Sequence, residues 1–97
     1  MNVRFLTPAQ QDIADTVLWL EGRQAGTAAD FLATLDKVVQ LIKAYPLVGE
    51  EIDPEIRRYP FDRFPYALIY GIDGQTLIVI AVAHTRRDPH YWMERVF

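Results

Sequence analysis

The sequence contains neither cysteine nor serine among its 97 residues. Without cysteine, no disulfide bond or thiolate-bound metal can form, so burial of apolar groups has to stabilise the fold. Without either residue, the serine and cysteine nucleophiles of acyl transfer cannot be built. No glycine is followed by the Lys-Ser/Thr pair of a phosphate-binding loop. These absences exclude acyl-enzyme chemistry on serine or cysteine and argue against nucleotide hydrolysis.

Long apolar runs and a basic amino terminus are also lacking. The first residues do not have the basic start and apolar run of a signal peptide, and no apolar stretch approaches the length of a membrane span. We therefore expect a cytoplasmic protein with no membrane partner. The length predicts a single domain over residues 1–97, and the 51% apolar composition is enough for one core.

Positive charge is scarce overall but concentrated in the second half of the chain. The net charge of −3 argues against general nucleic-acid binding, which gains affinity from lysine and arginine. Residues 1–54 hold four basic and eight acidic groups, whereas residues 55–97 hold six arginines and five acids. Because arginine makes bidentate contacts with phosphate and carboxylate, the second half predicts a local anion-facing patch.

Two helices follow a short strand at the start of the chain. Alternating apolar and polar residues predict a strand over 3–6. Thr7 as a cap with Pro8 at the first helical position predicts a helix of three to four turns. Thr27 repeats the capping pattern, and Pro46 ends the second helix. The apolar spacing of this helix predicts a buried stripe of Phe31, Leu35, Val38 and Ile42, widened by Leu32 and Val39. Because the loop between them is short, the two helices should pack antiparallel.

The rest of the chain is predicted to be mainly β-structure. The acidic segment 47–55 predicts a surface loop, and 56–59 a strand that Pro60 limits to an edge or a bulge. The Asp-Gly pair at 73–74 predicts a tight hairpin whose second strand, 77–82, is central and covered on both faces.

The chain is predicted to end in a short helix. Asp88 as the cap and Pro89 at the first position would start this helix, which would run to about Arg95. The resulting order is β-α-α-β-β-β with a short C-terminal helix. We therefore predict an α+β fold in which a helix hairpin packs on a small, mainly antiparallel sheet.

A polar cluster follows the second hairpin strand directly. Arginine would hold a phosphodiester, His84 could exchange a proton near neutral pH, and Tyr91 could hydrogen-bond or stack. The alternative is structural: the arginines would form solvated ion pairs, and His84 would be a packed residue. Arg57 and Arg58 point to opposite faces of a strand, so at most one faces any given site. The candidates at this end of the sheet are Arg57, Arg58, Arg63, His84, Arg86, Arg87 and Tyr91.

Metal binding is not favoured by the available ligands. His84, Asp88 and His90 lie within seven residues, but their spacing matches no standard zinc pattern. Asp88 also has a better use as a helix cap. We predict neither a metal nor a cofactor.

Three local signatures accompany the predicted order of elements. They are Tyr45-Pro46-Leu47-Val48-Gly49, Pro65-Tyr66-Ala67-Leu68-Ile69-Tyr70 and Ile80-Ala81-Val82-Ala83-His84-Thr85-Arg86-Arg87. In this order and spacing the chain resembles the RelE/ParE toxin superfamily of type II toxin-antitoxin modules, and more closely its ParE-like plasmid stabilisation branch. The resemblance implies a small bacterial toxin neutralised by an antitoxin encoded beside it, whose extended carboxy-terminal segment wraps the helices and the sheet.

The two branches of this superfamily differ in their targets. RelE-type members cut mRNA on the ribosome without a metal, whereas ParE-type members poison DNA gyrase. Tyr91 falls where the nuclease branch has a late tyrosine, and His84 lies near a basic or histidine position of that branch. The arginine expected after the hairpin tyrosine is Ala67 here, and the one expected early in the terminal segment is Thr85, next to Arg86.

We therefore expect a ParE-like toxin directed at DNA gyrase. The alternatives are a ribosome-dependent mRNA endoribonuclease, or a weakly toxic module that binds its antitoxin. In the nuclease, His84, Arg86 and Tyr91 would be catalytic. In either toxin, contacts with the target or with phosphate would come from Arg57, Arg58, Arg63 and Arg87. The oligomeric state stays open, a homodimer included.

Overall fold

The structure is a computed structural model that describes residues 1–88 and 90–96. Its elements in chain order are β1 (Asn2–Phe5), α1 (Thr7–Arg23), α2 (Thr27–Ala44), β2 (Glu50–Asp53), β3 (Ile56–Pro60), β4 (Tyr66–Asp73), β5 (Thr76–His84) and a C-terminal 3-10 helix (Tyr91–Arg95). All predicted helices and strands are present, together with one further strand, β2.

The five strands form one mixed sheet in the order β1-β5-β4-β3-β2. β1 runs parallel to β5, and the other neighbouring strands are antiparallel. The parallel pair arises because the α1–α2 hairpin carries the chain across the sheet after β1. The predicted α+β architecture, with a helix hairpin on a mainly antiparallel sheet, is confirmed.

Two packed clusters cover the two faces of the sheet. On the helix face, the predicted α2 stripe of Phe31, Leu35, Val38 and Ile42 is buried against β4 and β5. Leu32, predicted to widen that stripe, is instead 43% exposed. The opposite face carries a smaller cluster of Ile56, Ile69, Ile80, Ala81 and Trp92. β5 is thus covered on both faces, as predicted for a central strand.

The prediction of a loop over 47–55 is wrong for β2. Glu50 and Glu51 pair antiparallel with Arg58 and Arg57, so opposite charges face each other across the two strands. Glu55 makes the reversal between β2 and β3 with a left-handed φ of 66°. Acidic composition alone suggested a loop because it does not reveal the arginines on the neighbouring strand.

The segment before β2 is held on the sheet by a buried tyrosine. The Tyr70 hydroxyl accepts a hydrogen bond from the Gly49 N–H at 2.9 Å and donates one to the Pro46 carbonyl oxygen at 2.8 Å. A Cβ atom at Gly49 would lie 2.7 Å from that hydroxyl oxygen, so a side chain does not fit there. This contact gives a physical reason for the glycine of the first signature.

The predicted capping roles of Thr7 and Thr27 are wrong. The helices begin at these residues, with Leu6 and Gly26 at the cap positions and no side-chain cap bond. At the start of α2, the Glu21 carboxylate accepts hydrogen bonds from the N–H groups of Gly26 and Ala28 instead. The tight turn at Gly26, with φ of 91°, brings the end of α1 close enough for this contact.

Two proline predictions have different outcomes. Pro60 ends β3 beyond the last residue that β2 pairs with, so β3 has no outer neighbour there and a missing N–H is tolerated. Pro89 lies outside the described residues. The terminal helix begins at Tyr91 rather than at 88–89, while the Asp88 carboxylate accepts a hydrogen bond from the His90 N–H at 3.0 Å.

Within the described ranges, neither α-helix has the length and hydropathy of a membrane span.

Candidate functional site

A cavity of about 390 Å³ lies on the sheet face opposite the two helices. Its floor includes Ala67 and Ala83, which stand directly opposite each other on β4 and β5, and Ile69. Ile52 from β2 and Trp92 from the 3-10 helix also line it. The small alanine side chains keep the floor open, and β2 and the C-terminal helix supply lining on the two sides.

Charged groups of both signs surround this apolar floor. The strand register places Arg58 beside Glu50 on one side and Ile69 on the other, so a row of side chains crosses the sheet into the cavity. The lining residues that carry a carboxylate, a guanidinium group or an imidazole are Glu50, Glu51, Arg58, His84, Arg87, Asp88 and His90. The Glu51 carboxylate is paired with Arg57, so with neutral histidines two other carboxylates stand beside two guanidinium groups. This balance does not create the positive field that a polyanion needs.

The cavity brings together four of the seven residues that the sequence suggested. Arg58, His84, Arg87 and Tyr91 all line it. Arg86 is exposed and is not part of the lining. The proposed catalytic trio therefore does not converge on one point.

Two further arginine candidates lie elsewhere. Arg57 donates hydrogen bonds to the carbonyl oxygens of Leu47 at 3.2 Å and Gly49 at 2.8 Å, which anchors the segment before β2. Arg63 lies in the loop after β3, in a groove beside α2. Arg57 and Arg58 thus point to different faces of β3, as predicted.

The His84 imidazole is engaged within its own turn. Its Nδ1 accepts a hydrogen bond from the Arg86 backbone N–H at 3.1 Å. The neutral ring must therefore carry its proton on Nε2. Its ring also packs edge-on against Tyr66, with centroids 5.2 Å apart. In this tautomer His84 has no vacant lone pair with which to act as a general base.

The Tyr91 hydroxyl is directed at a carboxylate. It lies 3.5 Å from Asp12 Oδ2, as a donor. The guanidinium carbons of Arg87 and Arg95 lie 3.7 and 4.9 Å from the centroid of its ring. Tyr91 therefore positions Arg87 by stacking, while its own hydroxyl is held by α1.

Asp12 and Arg95 form a bidentate ion pair between α1 and the C-terminal helix, which the sequence reasoning missed. Arg95 donates to both Asp12 carboxylate oxygens, at 2.7 and 3.0 Å, and to the Ile80 carbonyl oxygen at 3.0 Å. Asp12 also accepts from the Val82 N–H at 3.0 Å. Because β1 pairs with β5 only as far as Val79, this ion pair satisfies backbone groups beyond the end of β1.

A local signal for Asp12 did exist. Ala9 lies three residues before Asp12 and Thr16 lies four residues after it, so the three share one face of α1. Ala9 and Thr16 are both buried. A carboxylate on such a face requires a partner. The sequence could have suggested a buried acid, but not that Arg95 would be its partner.

The titration of the Tyr91 hydroxyl should show the effect of its burial beside the Asp12 carboxylate. Burial, and then the negative charge of Asp12, raise the pKa of Tyr91 to about 12. The unfolded chain ionises near 10, so the stability contributed by this phenol is complete below pH 10 and is lost as the pH rises towards 12. We expect the difference between the ultraviolet titrations of the protein and its Tyr91→Phe variant to show a midpoint near 12. A midpoint near 10 would contradict the contact with Asp12.

Similarity to known proteins agrees with this architecture. The fold and the cavity define a small α+β protein with a helix hairpin on one face of its sheet and a mixed-charge site on the other. Residues 3–89 match the family model described as the ParE toxin of the type II toxin-antitoxin system parDE. The chain therefore belongs to the ParE toxin family, which confirms the RelE/ParE resemblance.

Structural similarity supports the fold. A chain in the solved structure titled "Chromosomal ParDE TA system from P. aeruginosa" aligns with a TM-score of 0.65 and 14% sequence identity. The alignment covers 87% of this chain and 95% of that one. No curated protein sequence matched this chain.

Proposed function

We propose that this protein is a growth-inhibiting toxin that acts on DNA gyrase in the cytoplasm and is neutralised by a cognate antitoxin. Membership of the ParE toxin family supports the toxin, and similarity to a chain of a ParDE system supports an antitoxin partner. DNA gyrase is the target that the resemblance to the ParE-type branch implies. The observation that carries the choice of target is the lining of the cavity.

The cavity lacks groups that cleavage of mRNA would use. Ala67 and Thr85 line it at the two positions where resemblance to the nuclease branch leads us to expect arginine. His84 uses its Nδ1 lone pair within its own turn, and the Tyr91 hydroxyl is held by Asp12. Together with the mixed charge of the rim, this lining favours a protein target over a polyphosphate.

A ribosome-dependent mRNA endoribonuclease is the second candidate. Arg58, Arg87 and Tyr91 line the same cavity, which is the observation in its favour. In that reaction the arginines would bind the phosphodiester and Tyr91 would take part in proton transfer, without a metal. Arg86, which with His84 and Tyr91 was predicted to be catalytic in the nuclease, would have to move into the cavity.

Expression of the protein alone should distinguish the two candidates. For a gyrase-directed toxin we expect growth arrest with filamentation and a DNA-damage response, while protein synthesis continues. The purified protein should inhibit DNA supercoiling by gyrase. Co-expression of the antitoxin from the adjacent gene is the control and should restore growth. Immediate arrest of translation with cleaved mRNA would contradict the proposal and support the nuclease, whereas unaffected growth would indicate a module without toxicity.

A further inference from the structure

Two arginines of the cavity have no acidic partner in the part of the chain that the structure describes. Among the described residues, no carboxylate forms an ion pair with Arg58 or Arg87. Glu51, which also lines the cavity, pairs with Arg57 at 3.7 Å. Glu50 stands opposite Arg58 in the strand register, but it is exposed and forms no ion pair with it. The cavity therefore presents two guanidinium groups that are available to a ligand.

Arg87 stacks on the Tyr91 ring although it is exposed. Its guanidinium carbon lies 3.7 Å from the centroid of the Tyr91 ring, and the Tyr91 hydroxyl is a donor to Asp12. A stacked guanidinium keeps the N–H donors along its edge, where they can bind a carboxylate in a bidentate manner. Less side-chain freedom is then lost on binding, which favours recognition.

The floor of the cavity suits an apolar group. Ala67, Ala83 and Ile69 line it, and Trp92 is almost fully buried beside them. A volume of about 390 Å³ falls in the lower part of the range of ligand pockets, which is roughly 300–1,000 Å³. In protein interfaces, a few apolar or aromatic side chains that fill such pockets supply most of the binding energy.

The surrounding charge limits which anion can enter. Glu50 and Asp88 line the same cavity, and the whole chain carries a net charge of −3. A nucleic acid brings many phosphates and would be repelled by these carboxylates. A single carboxylate beside an apolar side chain carries only one negative charge, so it would meet the arginines and the floor with much less repulsion.

We propose that this cavity is the docking pocket for the toxin's protein target and that it takes one apolar side chain with a neighbouring carboxylate, which Arg58 and Arg87 bind. The inference rests on the proposed protein-directed function and adds the chemistry of the recognised segment. The acidic residue of the target sets its orientation, and the apolar residue fills the floor between Ala67 and Ala83.

Two variants test the apolar floor and the positive charge of the pocket separately. Ala83→Leu fills the floor, and Arg58→Glu reverses one of the two charges. For each, we expect the concentration that inhibits gyrase to rise about 10-fold or more, and growth arrest to weaken in parallel. Arg4→Glu makes the same charge change at an exposed position of β1, outside the cavity lining, and should change neither readout.

Binding of the antitoxin tests whether the variants are folded and whether the antitoxin, rather than the target, occupies the pocket. We expect both variants to co-purify with the antitoxin and to keep the thermal midpoint of the starting protein within a few degrees. Growth arrest retained by both variants would overturn the proposal. So would loss of antitoxin binding in a folded variant, because the pocket would then belong to the antitoxin.

A selection from a random displayed-peptide library tests the pocket independently of toxicity. The full chain is the bait, and the Ala83→Leu variant serves for counterselection. We expect peptides with a large apolar residue next to Asp or Glu, which bind Arg58→Glu about 10-fold more weakly or worse. Selection of peptides without acidic residues would overturn the proposal. Displacement of the selected peptides by equimolar adenosine monophosphate would overturn it as well. If this selection succeeds while the protein causes no growth arrest, only the proposed function fails.

Discussion

Replacing Asp12 by alanine is expected to lower the free energy of unfolding by about 3–5 kcal/mol, because the change leaves a buried guanidinium without its carboxylate. The side chains of Asp12 and Arg95 are only 10% and 14% exposed, and their shortest contact is 2.7 Å. The Val82 N–H loses its acceptor in the same variant. Urea denaturation followed by far-ultraviolet circular dichroism would measure the loss.

Asp15→Ala is the matched control for this change. Asp15 lies on the same helix, is exposed, and contacts only the Gln11 side chain among the hydrogen bonds of the described residues. Its loss should change stability by no more than about 0.5 kcal/mol. Equal stability of the two variants would show that the ion pair does not hold the C-terminal helix. In Asp12→Ala the pKa of Tyr91 should also fall, since Asp12 contributes to raising it.

Local patterns predicted most of the fold. The stripe Phe31, Leu35, Val38 and Ile42 is helical in period and is buried as expected. The Asp-Gly turn joins β4 to β5, with Asp73 directly opposite Thr76. Both patterns lie within one or two neighbouring elements, where sequence spacing fixes which side chains share a face.

The parts of the fold that the sequence did not predict depend on contacts with residues far away in the chain. β2 is stabilised by pairing with β3 and, ahead of it, by Tyr70, which lies 21 residues after Gly49. The capping group of α2 comes from Glu21 rather than from Thr27. Composition and capping preferences describe what a segment does alone, and here tertiary contacts override both.

Only part of the candidate site was predicted, because the site also depends on residues that are distant in the sequence. The end of β5 was recognised as a polar cluster, and His84, Arg87 and Tyr91 do line one cavity. Its shape also depends on Glu50 and Ile52 of the unpredicted strand and on the alignment of Ala67 with Ala83. The ion pair that holds its C-terminal wall joins residues 83 positions apart. No local spacing encodes such a pair.

Phe31→Ala is expected to destabilise the protein by about 3–5 kcal/mol, the usual cost of removing a large aromatic side chain from a close-packed core. Phe31 is fully buried, and its ring lies 5.4 Å from those of Phe61 and Tyr66 and 5.5 Å from that of Phe64. Denaturant unfolding would measure the loss. Phe31→Leu, which keeps part of the volume, should cost less.

The control for Phe31→Ala is Leu18→Ala on the outer face of α1. Leu18 is 74% exposed, so its removal should change stability by no more than about 0.5 kcal/mol. A similarly small effect of Phe31→Ala would contradict the aromatic core. Because Tyr66 contacts both Phe31 and His84, loss of the Phe31 ring should also loosen the rim of the cavity. We therefore expect toxicity to fall more steeply with temperature in Phe31→Ala than in Leu18→Ala.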